Sequence, residues 1–224
     1  MLYGKQFKKI LKLELYDYCR YPGQWMNSIL FFTLIVIMFP LMTSVQNSIL
    51  IHFIPAIFGL ISSLSVILSL NYLFNSDYED GTLDLYLLSF GSLRPYVAVK
   101  LITHWMIFCL PILVISPILF VLYNIEYHLI GIILLSLLFS TTILLILGAL
   151  ISGLILSIKN QGLLLILLIL PIFAPVLIFC SGTINAALTN DNYLAPLLFL
   201  FSILMFTIIT VPSITSFFLK VSLN

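Results

Sequence analysis

Six long apolar stretches dominate this sequence: Trp25–Val45, Ile49–Phe74, Pro95–Tyr123, Leu129–Ser157, Gly162–Ile184 and Leu194–Leu219. Five of them hold no Asp, Glu, Lys or Arg, and the third holds only Lys100, near its start. A helix of ~20 apolar residues crosses the hydrocarbon core of a bilayer. The chain is 62% hydrophobic and 8% charged, whereas globular domains are about half apolar and about a quarter charged. Lipid is therefore the solvent for most of it. The expected fold is all-α: a polytopic membrane protein of six transmembrane helices in a single domain, residues 1–224. Some stretches exceed the minimum length, which tilt or short turns outside the bilayer accommodate. Polar punctuation separates them, as in "VQNS", "YNIEYH", "IKNQG" and "NAALTNDNY".

The cations orient the bundle. Lys5, Lys8, Lys9, Lys12 and Arg20 precede the first stretch; Arg94 and Lys100 follow the second, Lys159 the fourth, and Lys220 the sixth. With six spans all nine fall on one side. By the positive-inside rule both termini, and residues 75–95, face the cytoplasm or the mitochondrial matrix. Glu126, His128 and Asp191 fall on the far side. Residues 1–22 read as a separate elbow helix in the interface, where Phe7, Ile10, Leu11, Leu13 and Leu15 alternate with lysines and Glu14. A purely topogenic flank is the alternative. The charges continue to residue 20 with no small-residue cleavage site, so a removable signal peptide is not expected.

Several chemistries are missing from the sequence. The net charge of +1 offers no basic field for nucleic acid. Cys19, Cys109 and Cys180 are scattered, with no Cys-x-x-Cys or Cys/His spacing, so neither a disulfide framework nor a metal site is expected. There is no G-x-x-x-x-G-K-[ST] loop for nucleotide phosphates. No Ser/His/Asp or paired-carboxylate arrangement points to a catalytic residue. No charge lies near the middle of a span, where ion-coupled carriers usually need one. The chain does not read as an enzyme acting alone, and the energy it uses is expected from another chain.

Half of the eight acids gather in "SDYEDGTLDLYLL", residues 76–88. Asp77 can cap a short helix with Glu79 and Asp80 in its first turn, where carboxylates suit the positive end of the helix dipole. Gly81 permits a bend. Leu83, Tyr86, Leu87 and Phe90 then fall on one helical face. Such a face fits a groove on a partner; equally, it can rest on lipid headgroups as a solvated loop.

The stretch "DYEDGTLDLYLLS…LRPYVAVK" resembles the loop between the second and third spans of ABC-2-type permeases. Asp80, Gly81, Thr82, Leu83, Asp84, Leu87, Leu88 and Lys100 occupy the matching positions. In that family the loop carries a coupling helix that contacts an ATP-binding cassette ATPase subunit. The resemblance implies that contact for Asp80, Gly81, Leu83, Asp84, Leu87 and Leu88, and Asp77, read as the cap of the same segment, joins the expected set. The following "VKLITHWMIFCLPILVISPI" resembles, more narrowly, the haem exporter B family of cytochrome c maturation. The matching residues are Lys100, His104–Trp105, Leu110–Pro111 and Ser116–Pro117. Lys100, His104, Trp105 and Pro111 form the expected functional motif of the third span.

That resemblance implies a membrane permease subunit in haem export or in ATP-driven release of a haem-loaded chaperone. The implied partners are the ATPase, a tryptophan-rich haem-handling membrane subunit, a haem chaperone and the lipid bilayer. The alternatives are a non-transporting scaffold of the maturation complex and a general ABC-2 exporter of lipid or drug. Haem is not assigned as a bound cofactor. Imidazole ligates haem iron, yet a His–Trp pair at the depth of His104 reads better as an interfacial anchor or an interhelical hydrogen bond. Gly148-x-x-x-Ser152 and Ala149-x-x-x-Gly153, with Ser62, Ser65 and Ser69, read as close-packing stripes, with the lining of a substrate path as the alternative. The abundance of Ile, Leu, Phe and Asn suggests an AT-rich genome and favours a mitochondrial inner membrane over a bacterial one.

The charge asymmetry makes a direct prediction. Single cysteines placed at Lys5, Asp80 and Lys220 should label from one side of the membrane, and one at Asp191 from the other. Labelling of positions 80 and 191 from the same side would refute the six-span arrangement.

Overall fold

The computed structural model describes residues 10–16, 18, 20, 23–42, 47–71, 73–90, 92–158 and 161–223. Lys5, Phe7, Lys8, Lys9, Cys19 and Lys159 lie outside them. Most of the described residues are helical, with no strand among them. The helices are α1 (Gly23–Met42), α2 (Asn47–Leu70), α3 (Asn75–Glu79), α4 (Thr82–Phe90), α5 (Arg94–His104), α6 (Leu110–Leu122), α7 (Tyr127–Leu154), α8 (Gln161–Leu188) and α9 (Leu194–Ser222). A π-helical turn, Trp105–Cys109, joins α5 to α6 into one span. Six helices are thus long and apolar enough to cross a membrane.

The six spans do not share lipid equally. In the second, 72% of the apolar window is buried, and in the fourth 56%, against 22–33% for the other four. α2 and α7 are therefore the centre, with α1 and α8 against α2, and α8 and α9 against α7. Lipid tails are as apolar as leucine, so helices associate there through close packing rather than hydrophobic exclusion. Small residues permit it. A Cβ on Gly148 would lie 2.1 Å from Leu70 Cδ1, and one on Gly153 would lie 3.4 Å from Thr215 Cγ2. The small-residue stripe of α7 is thus a seam, with α2 on Gly148 and α9 on Gly153.

Helix ends on the side of Tyr123 and Asn190 close with asparagine. Asn124 (φ 52°) and Asn190 (φ 59°) take the left-handed conformation. Behind them Ile125 N–H donates to Phe120 O at 3.2 Å, and Asp191 N–H to Ala186 O at 2.8 Å. These bonds satisfy terminal carbonyls in the manner of a Schellman cap. The cap also explains why α8 runs to Leu188, beyond the expected Ile184: "NAAL" continues the helix until Asn190 can turn the chain. Tyr123 donates its hydroxyl to Val36 O (2.7 Å) and packs edge-on against Phe58, tying α6 to α1 and α2 at this end.

At the opposite end, residues 10–16, 18 and 20 are helical, with Ile10, Glu14 and Tyr18 buried and Leu13 and Tyr16 exposed. This departs from the expected alternation, which set Glu14 among the outward charges. Glu14 turns inward because a cation awaits it there.

The α2–α7 seam predicts that Gly148→Ala lowers thermal stability in detergent. Forcing a methyl into a filled site typically costs about 1–3 kcal/mol. In a Leu70→Ala background, the same change should cost less than about 1 kcal/mol, because neighbouring sites couple. Equal cost in both backgrounds would contradict the contact.

Candidate functional site

The site begins with the spacing of Lys100 and His104, four residues apart and so on one face of α5. Both are buried. Lys100 Nζ lies 2.9 Å from Glu14 Oε2 and 2.7 Å from Asp77 Oδ2. The Tyr96 hydroxyl donates to the same Asp77 oxygen. Tyr96 is itself packed between Tyr86 of α4 and Phe74, with ring centroids 4.9 and 6.3 Å away. One cation thus joins the N-terminal segment, α3 and α5. Dehydrating an ion costs several kcal/mol, and only good partner geometry repays it. Two carboxylates and one lysine satisfy that condition.

A second, neutral rung sits one turn deeper. His104 Nδ1 is 2.9 Å from the Tyr18 hydroxyl, and Nε2 is 3.0 Å from Ser69 Oγ. The Ser69 hydroxyl proton is already donated to Val66 O at 2.7 Å. Ser69 Oγ must therefore accept, which places the ring proton on Nε2 and leaves Nδ1 to accept from Tyr18. Burial holds the Tyr18 phenol above its usual range, against the lowering pull of Lys100, so it keeps the proton it donates. Both imidazole nitrogens are occupied. The interhelical hydrogen-bond reading of His104 is the one the geometry displays; ligation of a haem iron would require one of these bonds to break.

Trp105 and Pro111 have separate tasks. Trp105 donates its indole N–H to Thr142 Oγ1 at 2.9 Å, binding the third span to α7. Pro111 lacks the N–H that would reach the carbonyl four residues back, and its ring would collide with that carbonyl. The wide turn Trp105–Cys109 immediately precedes it and absorbs the mismatch; such turns are frequent at functional sites. Beside Trp105, an apolar cleft of about 680 Å³ lies between α5, α7 and α9, with Arg94 among its lining residues.

The loop residues divide by side. Asp77 is not a cap: α3 starts at Asn75, its N-cap is Phe74, and the carboxylate points to Lys100 instead. Gly81 (φ 71°) makes the bend, in a conformation few side chains tolerate. Thr82 Oγ1 closes it by donating to Asp77 O at 3.0 Å. Leu83 is fully buried, and Tyr86 and Leu87 pack half-buried on the core. This corrects the expected docking face, since Leu83 cannot be offered to a partner while it fills the chain's own core. Asp80 and Asp84 are exposed, as are Leu85 (63%) and Leu88 (83%). Phe90's side chain is outside the described ones.

Sequence reasoning passed over Glu14, Tyr18, Tyr96 and Leu85. Their signal was spacing: Glu14 and Tyr18 repeat the i, i+4 step of Lys100 and His104, and Leu85 shares a face with Asp84 and Leu88.

Taken together, the six-span bundle and a charged knot at its loop-bearing end define a helical, multi-pass membrane protein. The residues of that knot serve contacts between elements, and no cluster of metal-ligating residues occurs among the described residues. The family follows from comparison: residues 5–222 match the profile described as CcmB protein, and the chain belongs to that family. It is 34% identical over 218 residues to heme exporter protein B of Pseudomonas aeruginosa, covering 97% of this chain and 98% of the relative. The Haemophilus influenzae protein of the same name is 32% identical, covering 97% and 99%. That of Escherichia coli K12 is 33% identical, covering 84% and 87%. The resemblance seen in the loop and third span thus extends along nearly the whole chain. The mitochondrial preference finds no support, because these relatives are bacterial.

The neutral rung predicts that His104→Ala destabilises the purified protein by about 1–3 kcal/mol, the cost of stranding buried hydroxyls. His104→Gln, which can still donate and accept, should recover part of this. The haem content of the purified complex should not change. Loss of haem at unchanged stability would instead mark His104 as a ligand.

Proposed function

We propose that this protein is the membrane permease subunit of an ABC-type complex for cytochrome c maturation. It would act in haem export or in ATP-driven release of a haem-loaded chaperone. ATP binding and hydrolysis belong to a separate ATPase subunit on the side of residues 75–95, which is also the side of both termini. A tryptophan-rich haem-handling membrane subunit and a haem chaperone on the opposite face complete the complex. The membrane is the inner membrane of a bacterium, in keeping with the relatives named above. Their name, heme exporter protein B, supports the haem assignment.

The observation that carries the ATPase contact is helix α4. Its inner face, Leu83 and Leu87, is anchored in the core, while Asp84, Leu85 and Leu88 point outward. An exposed leucine pair with a flanking acid, on a short helix whose inner face is packed on the core, suits insertion into a groove. An anchored helix also transmits force, which a floppy loop does not.

The outward face supplies the test. Leu85→Asp with Leu88→Asp should strip the ATPase from folded, inserted permease, since burying charge without partners costs several kcal/mol and about 8 kcal/mol is all that micromolar binding provides. Asp84→Ala should do less, as a rim charge contributes ~0–1 kcal/mol. Leu83→Asp should instead damage the permease itself. ATPase retained by the double variant at parental stoichiometry would rule out α4 as the contact. A non-transporting scaffold would be indicated if the variant lost the ATPase yet still supported maturation.

A further inference from the structure

Two bonds between the N-terminal segment and α5 share one register. Glu14 meets Lys100, and Tyr18 meets His104, each pair 86 positions apart. Equal offsets in the same direction mean that the two helices run parallel, matched rung for rung. Ile10, one further step back on the same face, is also buried. The segment is thus seated on the third span. Trp25, at the start of the first span, donates its indole N–H to Tyr18 O at 3.0 Å, so the seat continues into α1. From the other side, Asp77 reaches the same lysine at 2.7 Å, and Thr82 and Gly81 tie Asp77 to the start of α4.

We propose that Lys100 is a positioning residue that locks the N-terminal segment and α3, with α4 tied to α3 through Thr82, into one rigid body on α5. Displacement of α4 is thereby delivered directly to the segment that leads into the first span and to the π turn of the third. A flexible link would dissipate it. The role of this lock in transport rests on the proposed ATPase contact, but its existence does not. The chemistry explains the choice of residue. One ammonium, with three donors, pairs with two carboxylates arriving from different elements, so the departure of either breaks an ion pair at a buried lysine.

The test uses the full chain in lipid nanodiscs, without the ATPase. Spin labels are placed at Leu13→Cys and Leu85→Cys, both exposed positions, with Cys19, Cys109 and Cys180 replaced by alanine. The parental protein should give a single narrow distance distribution. Lys100→Met should broaden it about twofold or more, as local opening becomes accessible. If that variant does not fold, Glu14→Gln/Asp77→Asn/Lys100→Met, which keeps shape and removes all three charges, carries the measurement. Lys100→Arg, still able to pair with two carboxylates, should restore the narrow distribution. A merely structural lysine would change thermal stability without changing this width. A distribution in the neutral triple variant as narrow as the parental one would overturn the proposal. Since no ATPase is present, the outcome is independent of whether α4 docks one.

Discussion

Lys100 must be paired, because an ammonium buried among helices has no water to answer it. Glu14 and Asp77 answer it from two directions, and much of the architecture at this end follows. The N-terminal segment is held against α5, the acidic loop folds back toward the membrane, and Tyr96 is fixed against Tyr86 and Phe74. Each partner also makes the next one necessary. Remove the lysine and two carboxylates lose the cation they share; remove either carboxylate and an element loses its ion pair. A hydrophobic contact of similar size would hold these pieces together without requiring that all three arrive at once.

The rest of the bundle depends on a different constraint, the lack of hydrophobic exclusion between helices in lipid. Close approach replaces it. Gly148 and Gly153 let α7 touch α2 and α9, and hydroxyls of Thr142, Ser136 and Ser69 accept or donate across helices. These few polar atoms serve as fasteners between helices. The third span joins the two systems. Its first half carries the charged knot, its middle widens into a π turn ahead of Pro111, and its indole reaches α7.

Much of the fold was legible in the residues because the bilayer imposes one length and one polarity on every span. Gly148 and Gly153 were also readable, since close packing is the commoner use of a small-residue stripe in lipid. The loop was harder. Its more apolar face, Leu83, Tyr86 and Leu87, looked like a docking surface, and the structure turned it inward. A helix outside the bilayer can bury its leucines in a partner or in its own chain, and amphipathicity does not say which. Asp77 misled for a related reason. A carboxylate in a first helical turn usually serves the helix dipole, unless a stronger charge is in reach.

By itself, the sequence determined that this chain is too apolar for water and forms six helices long and apolar enough to cross a membrane. Those properties depend on local composition, which a linear reading sums correctly. What only the tertiary structure decided is which charges meet. Glu14 and Lys100 are 86 residues apart, and nothing local announces that a lysine in the third span will claim an acid from the N-terminal segment and another from the loop. Pairing over such distances is settled by how the helices stack, where the cost of leaving a buried charge unanswered exceeds any local preference.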